Sequence, residues 1–449
     1  MKSALALAFL GASVGAINVD FTSDASIKDG ASTIAYGLMK YYNGNETGHV
    51  PGNLPNPYYW WETGALFTAL IDYWTKTGDD TYNTVTTQGL LHQVGTSNNF
   101  LPANQSNTEG NDDQGVWALA AMAAAENGFP SPSKDLPQWQ DLAENVFNEF
   151  VERWDTKTCG GGLRWQIFSF NAGYDFKNSA SNGVFFDLAA RLFLQTKNST
   201  YSQWASEIFE WEQKAGLITD SYQVFEGLRT ESCGTIDKIQ SGMSAAVFLH
   251  GSAVMYNATT SNNWKTRVDG LVKSVQDTFV NNGVLVEAAC EKQKTCNTDL
   301  QAYKGFLVRS LAATTQLAPY TSAAIQPLLL TNAKAAANAC SGSPSSGFAG
   351  KSGTACGFSW AASNGTAFDG LTGVGEQMNA LSAVVSTLSV DAKAPGSGSN
   401  GTSTGGSGKP SGTSAPGPAS TTPKSAGSRV AVDVMAFLVG LGGVVYGLM

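Results

Sequence analysis

EGNDDQGVWALAAMAAAE, running from Glu109 to Glu126, is the stretch that decides the fold. Val116, Leu119, Ala120 and Ala123 recur at i, i+3, i+4 and i+7, while Trp117, Ala121 and Ala124 leave the opposite side apolar as well. A helix that is apolar all round is enclosed by other elements on every side. At its start stand two adjacent carboxylates, Asp112 and Asp113. One capping side chain satisfies a free N–H group at a helix start, and Asn111 or Asp112 alone could serve. The second charge needs another explanation.

The next segment contrasts with it. QWQDLAENVFNEFVERW, 138–154, sets a stripe of Trp139, Leu142, Val146, Phe147 and Phe150 against acids and amides, the pattern of an outer, half-wet helix. Twelve apolar-periodic segments lie near 25–42, 60–77, 80–94, 112–127, 137–154, 181–196, 200–215, 240–257, 262–281, 298–317, 322–339 and 373–389. Enclosed and amphipathic helices taking turns predict an all-α fold, an (α/α)6 toroid of six helical hairpins. An open α-solenoid obeys the same packing rules, although no repeat motif recurs here. GGLRWQIFSF, 161–170, carries a strand-like pattern and is expected to form a loop hairpin at one end of the ring.

Both ends of the chain separate from this helical body, expected over 17–393. MKSALALAFLGASVGA, 1–16, has a basic start, an apolar run and a small-residue end, the pattern of a cleaved secretory signal. Residues 394–428 are nearly all Gly, Ser, Thr, Pro and Ala, a stalk that can bury no core. The apolar segment 429–449 has nothing basic beyond it and follows Ser425-Ala426-Gly427. It is expected to be a GPI-attachment signal, removed on transfer to Ser425. A retained transmembrane helix is the alternative that its length permits, but Asp433 interrupts the apolar run.

Six cysteines suit an oxidising compartment and allow fifteen pairings. Local spacing favours Cys290–Cys296 and Cys340–Cys356, leaving Cys159–Cys233. With no C-x-x-C pair and three scattered histidines, no metal site is expected, and no cofactor either. Glycosylation acceptors at Asn45, Asn104, Asn198, Asn257, Asn364 and Asn400 predict surface loops there. A net charge of −9 and a pI near 4.9 argue against a nucleic-acid partner, whose phosphates need a basic face. The same scarcity of histidine, with no G-x-S-x-G elbow in the helical body, argues against a Ser-His-Asp triad. CGGGLRW, 159–165, lacks the Lys-Ser/Thr of a phosphate loop and predicts a tight turn.

Carboxylates are the chemistry that remains. Two acids suffice to cleave a glycosidic bond, one protonating the departing oxygen while the other attacks the anomeric carbon or activates water. Adjacent residues at a helix start favour the shorter carboxyl separation of retaining enzymes, about 5–5.5 Å. The helix N-terminus stabilises one anion, and repulsion between close like charges raises the second pKa. One acid would then attack and its neighbour donate a proton.

Sugar binding also needs aromatic faces and amide or charged donors. Trp60 and Trp61 in PYYWWET, Arg164, Trp165 and Gln166 in LRWQ, and Asn111 and Gln114 around the acid pair supply both. In FNAGYDFKNSASNG, 170–183, Asp175, Lys177, Asn178, Ser179 and Asn182 crowd a segment where N-capping needs only one of them. Glu62, Glu226 and Glu376 are reserve candidates for the acid.

GNDDQ, CGGGLRWQ with YDFKNSASNGVFFDLAARL, YWWETGALFTALIDYW and GVGEQMNALSAV together resemble glycoside hydrolase family 76, in its fungal GPI-anchored branch of mannan endo-1,6-α-mannosidases. The resemblance spans roughly residues 20 to 390. It implies an (α/α)6 toroid acting with retention on α-1,6-linked mannose, and for fungal members transfer of GPI-linked mannoproteins onto wall glucan. By position it makes Asp112 the nucleophile and Asp113 the acid/base, and it adds Trp60, Trp165, Lys177 and Asn178 as cleft residues. Relatives usually carry Tyr-Asn where this chain has Met243-Ser244, so one sugar contact departs from the pattern.

The expected substrate is therefore α-mannan or the mannose core of a GPI glycan, with wall glucan as a candidate acceptor. The chain is expected as a monomer, tethered by lipid at the outer face of the plasma membrane or in the wall. Two rival readings remain at this stage: a carbohydrate-binding wall scaffold without turnover, and an (α/α)6 glycosidase for another glycan.

Overall fold

A computed structural model of the chain describes residues 17–361 and 368–388. The expected signal peptide, stalk, attachment tail, Ser425, Asn364 and Asn400 lie outside the described residues. Twelve α-helices are present among those described: α1 (Asp24–Met39), α2 (Trp60–Thr77), α3 (Asn83–His92), α4 (Asn111–Glu126), α5 (Trp139–Arg153), α6 (Ser179–Thr196), α7 (Ser199–Lys214), α8 (Gly242–Thr259), α9 (Asn262–Phe279), α10 (Thr298–Leu317), α11 (Ser322–Ala339) and α12 (Val374–Val385).

The even-numbered helices form a closed inner ring. Each packs on the next, α2 on α4, α4 on α6, α6 on α8, α8 on α10 and α10 on α12, and α12 returns to α2. The odd-numbered helices form the outer layer: α3, α5, α7 and α9 lie on α2, α4, α6 and α8, α11 lies on α10 and α12, and α1 lies chiefly on α12. Closure of α12 on α2 excludes an open solenoid and establishes the (α/α)6 toroid. The sequence explains the layering. Inner α4 buries every residue from Gln114 to Ala124, whereas outer α5 buries only Trp139, Leu142, Ala143, Val146, Phe147 and Phe150. Each fully buried large apolar side chain contributes about 1.5–3 kcal/mol, so the ring is held mainly by its apolar inner helices.

The two ends of the ring differ. At one end the connections 78–82, 197–198, 260–261 and 318–321 are short, and only 127–138 is longer. At the other, the long segments 40–59, 93–110, 154–178, 215–241 and 280–297 lead into the N-termini of inner helices and form a mouth. Three of these long segments, 154–178, 215–241 and 280–297, carry short strands. β1 (Phe176–Asn178), β2 (Gly227–Arg229) and β3 (Ile236–Asp237) form an antiparallel sheet. Toward the far end, side chains from five inner helices meet, Arg191 pairing with Glu126, Arg309 with Asp72, and His250 Nδ1 lying 2.8 Å from Oδ1 of Asp187.

Several expectations need correction. Segment 161–170 is not a hairpin: beyond one isolated bridge of Gln166 to Gly110 it has no ladder. Gly160, Gly161 and Gly162 all take positive φ, which turns the chain instead of extending it. A Cβ on Gly161 or Gly162 would fall 2.8 or 2.3 Å from Trp211, so this turn serves close approach to α7. Asn45 and Asn104 do lie in exposed turns. Asn198 is likewise exposed, in the short connection before α7 as its N-cap, whereas Asn257 belongs to α8 and donates to the Leu317 carbonyl. Cys159–Cys233, Cys290–Cys296 and Cys340–Cys356 are disulfide-bonded.

Candidate active site

Gly110 is the N-cap of α4, with extended backbone and no side chain to cap with. Asp113, at the third helical position, takes over that task by accepting the Gly110 N–H on Oδ2 at 2.7 Å. This leaves Asp112 free of capping duty. Its Oδ1 accepts the Asp113 N–H at 3.1 Å, and its Oδ2 accepts Nδ2 of Asn178 at 2.9 Å. The two acids are thus distinct in role although adjacent in sequence, and both keep partial exposure to the mouth.

Asn178 is aimed by its own helix. As N-cap of α6, its Oδ1 accepts the Ser181 N–H at 3.3 Å, which turns the amide nitrogen toward Asp112. Pairing of β1 with β2 and the bond from the Ser179 N–H to the Glu226 carbonyl hold that cap in place. Gly110 is equally constrained: a Cβ there would fall 2.2 Å from Asp112 Oδ1 and 3.0 Å from Trp165 Nε1. Trp165, 37% exposed, therefore stands beside the nucleophile candidate with indole surface left for a ligand.

Burial raises the pKa of both acids. For Asp112 the amide of Asn178 and the Asp113 N–H oppose that rise by stabilising the anion. For Asp113 the charge of Asp112 adds to it, and its proton is held well above the ordinary carboxyl range. The pair therefore ionises unequally, Asp112 first.

Other acids share this mouth. Glu226 lies close enough to Asp112 for the two charges to repel, and is pushed up to about 7, mainly by burial. Asp299, on the first turn of α10, accepts Nε1 of Trp61 at 2.9 Å and repels both aspartates and Glu62. Glu62 caps its own helix through the Tyr59 N–H and is raised by burial to about 9, and Glu376 is raised by burial to about 7. The N-termini of inner helices converge here, and their dipoles favour negative charge. Asp299 was not singled out from the sequence. The available signal was an acid in the first turn of an inner helix, the position that Asp112 itself occupies.

The remaining candidates are placed elsewhere. Lys177 is fully buried, and its Nζ donates to the carbonyls of Asp155, Thr158 and Gly161 while pairing with the Asp155 carboxylate at 3.3 Å. It staples the glycine turn and has no donor left for a sugar. Arg164 is spent on the Tyr174 carbonyl and Asp155, and Asp175 forms an exposed ion pair with Arg229. Asn111 and Gln114 are buried and accept from Arg153 at 2.6 and 2.7 Å. Trp61 is buried as the donor that orients Asp299. Trp60 stacks on Trp117, with ring centroids 4.8 Å apart, and donates to Gln93 at 3.0 Å. Met243 and Ser244 are both buried in the first turn of α8, where the Ser241 hydroxyl donates to that of Ser244.

The chain is similar over most of its length to known proteins. The chain is 43% identical over 396 residues to the mannan endo-1,6-alpha-mannosidase DCW1 of Saccharomyces cerevisiae, covering 88% of this chain and 86% of that protein. It is 38% identical over 384 residues to the mannan endo-1,6-alpha-mannosidase DFG5 of the same yeast, covering 85% and 82%. The crystal structure of Dfg5 from Chaetomium thermophilum, in complex with glucosamine, superposes with a TM-score of 0.77 at 42% identity over 82% of this chain and 92% of that one. A family model for glycosyl hydrolase family 76 matches residues 26–399. The chain belongs to glycosyl hydrolase family 76 and is a glycoside hydrolase.

Proposed function

We propose that the chain is a retaining, endo-acting glycosidase or transglycosylase that cleaves α-1,6-mannosyl linkages, in wall mannan or in the mannose core of GPI glycans. The observation that carries this reading is the division of labour between Asp112, held as an anion by Asn178, and Asp113, held protonated beside it. Asp112 attacks the anomeric carbon as Asp113 protonates the departing glycosidic oxygen. Asp113, now a base, takes the proton from the incoming water or sugar hydroxyl as the glycosyl-enzyme bond breaks. Trp165 is the cleft residue that meets the sugar, and Asn178 holds Asp112 from behind. Lys177, Arg164 and Asp175 act one layer behind by shaping the loops. Secretion, lipid anchoring at the plasma membrane or wall, a monomeric state and a wall-glucan acceptor complete the reading, supported by the terminal sequence patterns and the likeness to fungal mannan endo-1,6-alpha-mannosidases.

The test supplies α-1,6-mannooligosaccharides to the secreted protein and follows the anomeric configuration of the first product by NMR. An α-configured product, lost in Asp112→Asn, is expected. A β-configured first product would overturn retention, and binding without any turnover would replace the enzyme by a scaffold.

A further inference from the structure

The segment GGLRWQIFSF, 161–170, ends in two phenylalanines that serve neither the core nor the acid pair. Phe168 is half-buried and Phe170 is 70% exposed, yet their rings stack with centroids 5.4 Å apart and planes 12° from parallel. Among the described residues, neither belongs to the apolar core or to the side chains packed against it. An aromatic ring left in water forgoes the stabilisation that its burial would bring. Two such rings, ordered face to face on one loop, need another reason.

The loop that carries them is fixed to the helix start that bears the acid pair. On its outgoing leg the Asn111 N–H donates to the Trp165 carbonyl at 2.8 Å, Gln166 bridges to Gly110, and the Ile167 N–H donates to the Glu109 carbonyl at 3.4 Å. Farther out, Nδ2 of Asn171 donates to the Asn107 carbonyl at 2.9 Å and to Oε1 of Gln166 at 3.0 Å. On the return leg Gly173 lies against the Trp165 indole, where a Cβ would fall 2.3 Å from the ring, and the Phe176 carbonyl accepts the Trp165 N–H at 2.7 Å. Trp165 therefore stands at the base of the loop beside Asp112, and the phenylalanine pair stands toward its tip. The chain from Trp165 to Phe168 can span no more than about 11 Å. Consecutive sugars of one oligosaccharide cover such a distance.

The chemistry of the tip selects its occupant. From Trp165 to Tyr174 there is no charged residue, so the loop offers nothing to a phosphate or an anionic membrane surface. A buried aromatic side chain covers about 150–250 Å², so two of them fall far short of the roughly 800 Å² per partner of a stable protein interface. What fits is a neutral ring with one apolar face. A pyranose is such a ring, with C–H groups gathered on a face and hydroxyls directed outward to water.

We propose that Phe168 and Phe170 form an outer stacking platform for a distal mannosyl unit of the same glycan chain whose linkage meets Asp112 and Asp113. The site then reads chain length as well as linkage. The inference deepens the mannosidase reading and rests on it.

The test compares kcat/KM across α-1,6-mannooligosaccharides of increasing length. In wild type the value should climb once the chain is long enough to reach the tip. Phe170→Ala removes a mostly exposed ring and should leave the melting temperature within a few degrees. It should lower the ratio of kcat/KM for the longest substrate to that for the shortest by about tenfold, and Phe170→Trp should restore that ratio. No gain with length in wild type, or a loss in Phe170→Ala that is equal at every length, would overturn the proposal. Calorimetry with the same oligosaccharides separates the platform from the reaction. If wild type cleaves none of them, the glycosidase reading fails, while tighter binding of long chains that Phe170→Ala weakens by about tenfold still shows the platform. Binding that Phe170→Ala leaves unchanged, or that is absent in wild type, sinks the platform itself.

Discussion

The side-chain amide of Asn178 donates to Oδ2 of Asp112 at 2.9 Å from the N-cap of a neighbouring helix, across 66 residues of sequence. One residue therefore both starts α6 and stabilises the anion of Asp112. The substitution Asn178→Asp separates the two tasks, because Asp caps a helix as well as Asn but sets a second carboxylate against the first. Activity should fall by roughly 100-fold, equivalent to about 2.7 kcal/mol, and the acid limb of the pH–rate profile should move upward. An unchanged limb with unchanged kcat would show that the amide does not act on Asp112.

Replacing either aspartate by asparagine tests the pair directly. In Asp113→Asn the new amide oxygen would still accept the Gly110 N–H, so the variant should melt within a few degrees of wild type while turnover on mannosyl substrates drops by about 1,000-fold or more. An added small anion should restore part of its rate when the leaving group needs no proton. Full activity in both variants would remove the catalytic assignment.

Gly110→Ala probes the space beside the pair. Backbone strain is not the issue, since φ is −86°, but the new methyl would sit 2.2 Å from Asp112 Oδ1. Displacement of that carboxylate by about 1 Å should cost on the order of 100-fold in kcat, with little change in far-UV circular dichroism. A variant with normal kcat would mean that Asp112 tolerates movement.

Lys177→Met should damage the fold and leave recognition alone. It leaves three carbonyls and Asp155 without their buried cation, and Asp155 is held near 2 partly by that cation. Breaking such a pair costs about 3–5 kcal/mol. A large drop in melting temperature with KM unchanged in the folded fraction is expected. A raised KM at full stability would return Lys177 to the sugar-binding set.

Stability should decline as pH rises from about 5 to 9. Glu212 and Glu287 are raised by burial to about 8, and Glu62 and Glu109 to about 9. An unfolded glutamate titrates near 4.3, so between these values the folded chain binds more protons than the unfolded one. The stabilisation is full below about pH 4 and is lost as pH climbs through 8 to 9. Melting temperatures across this window measure it, and Glu212→Gln should flatten the slope. A curve that rises toward pH 9 would contradict the buried neutral state of these acids.

Local pattern made the architecture legible. The all-round apolar character of α4 and the one-sided stripe of α5 are read within a few turns of helix, because burial follows the 3.6-residue period. The adjacency of Asp112 and Asp113 and the close spacing of two cysteine pairs are local in the same sense. The site's electrostatics are not. Asp299 reaches Trp61 across 238 residues, and only closure of the ring brings the first turn of α10 to the mouth.

Tertiary structure also reassigned residues whose chemistry was ambiguous. Lys177, Arg164 and Asp175 have the donors and charges of ligand contacts, yet the glycine turn, Asp155, Tyr174 and Arg229 claim them first. Local pattern sufficed to show which segments are helices, which of them are enclosed, and that two acids share one helix start. Which acid keeps its proton, and which polar groups stay free for a sugar, was decided only when distant segments met. The physical reason is that helix formation and apolar periodicity act over a few residues, whereas hydrogen-bond partnership and desolvation depend on every group the fold brings within a few ångströms.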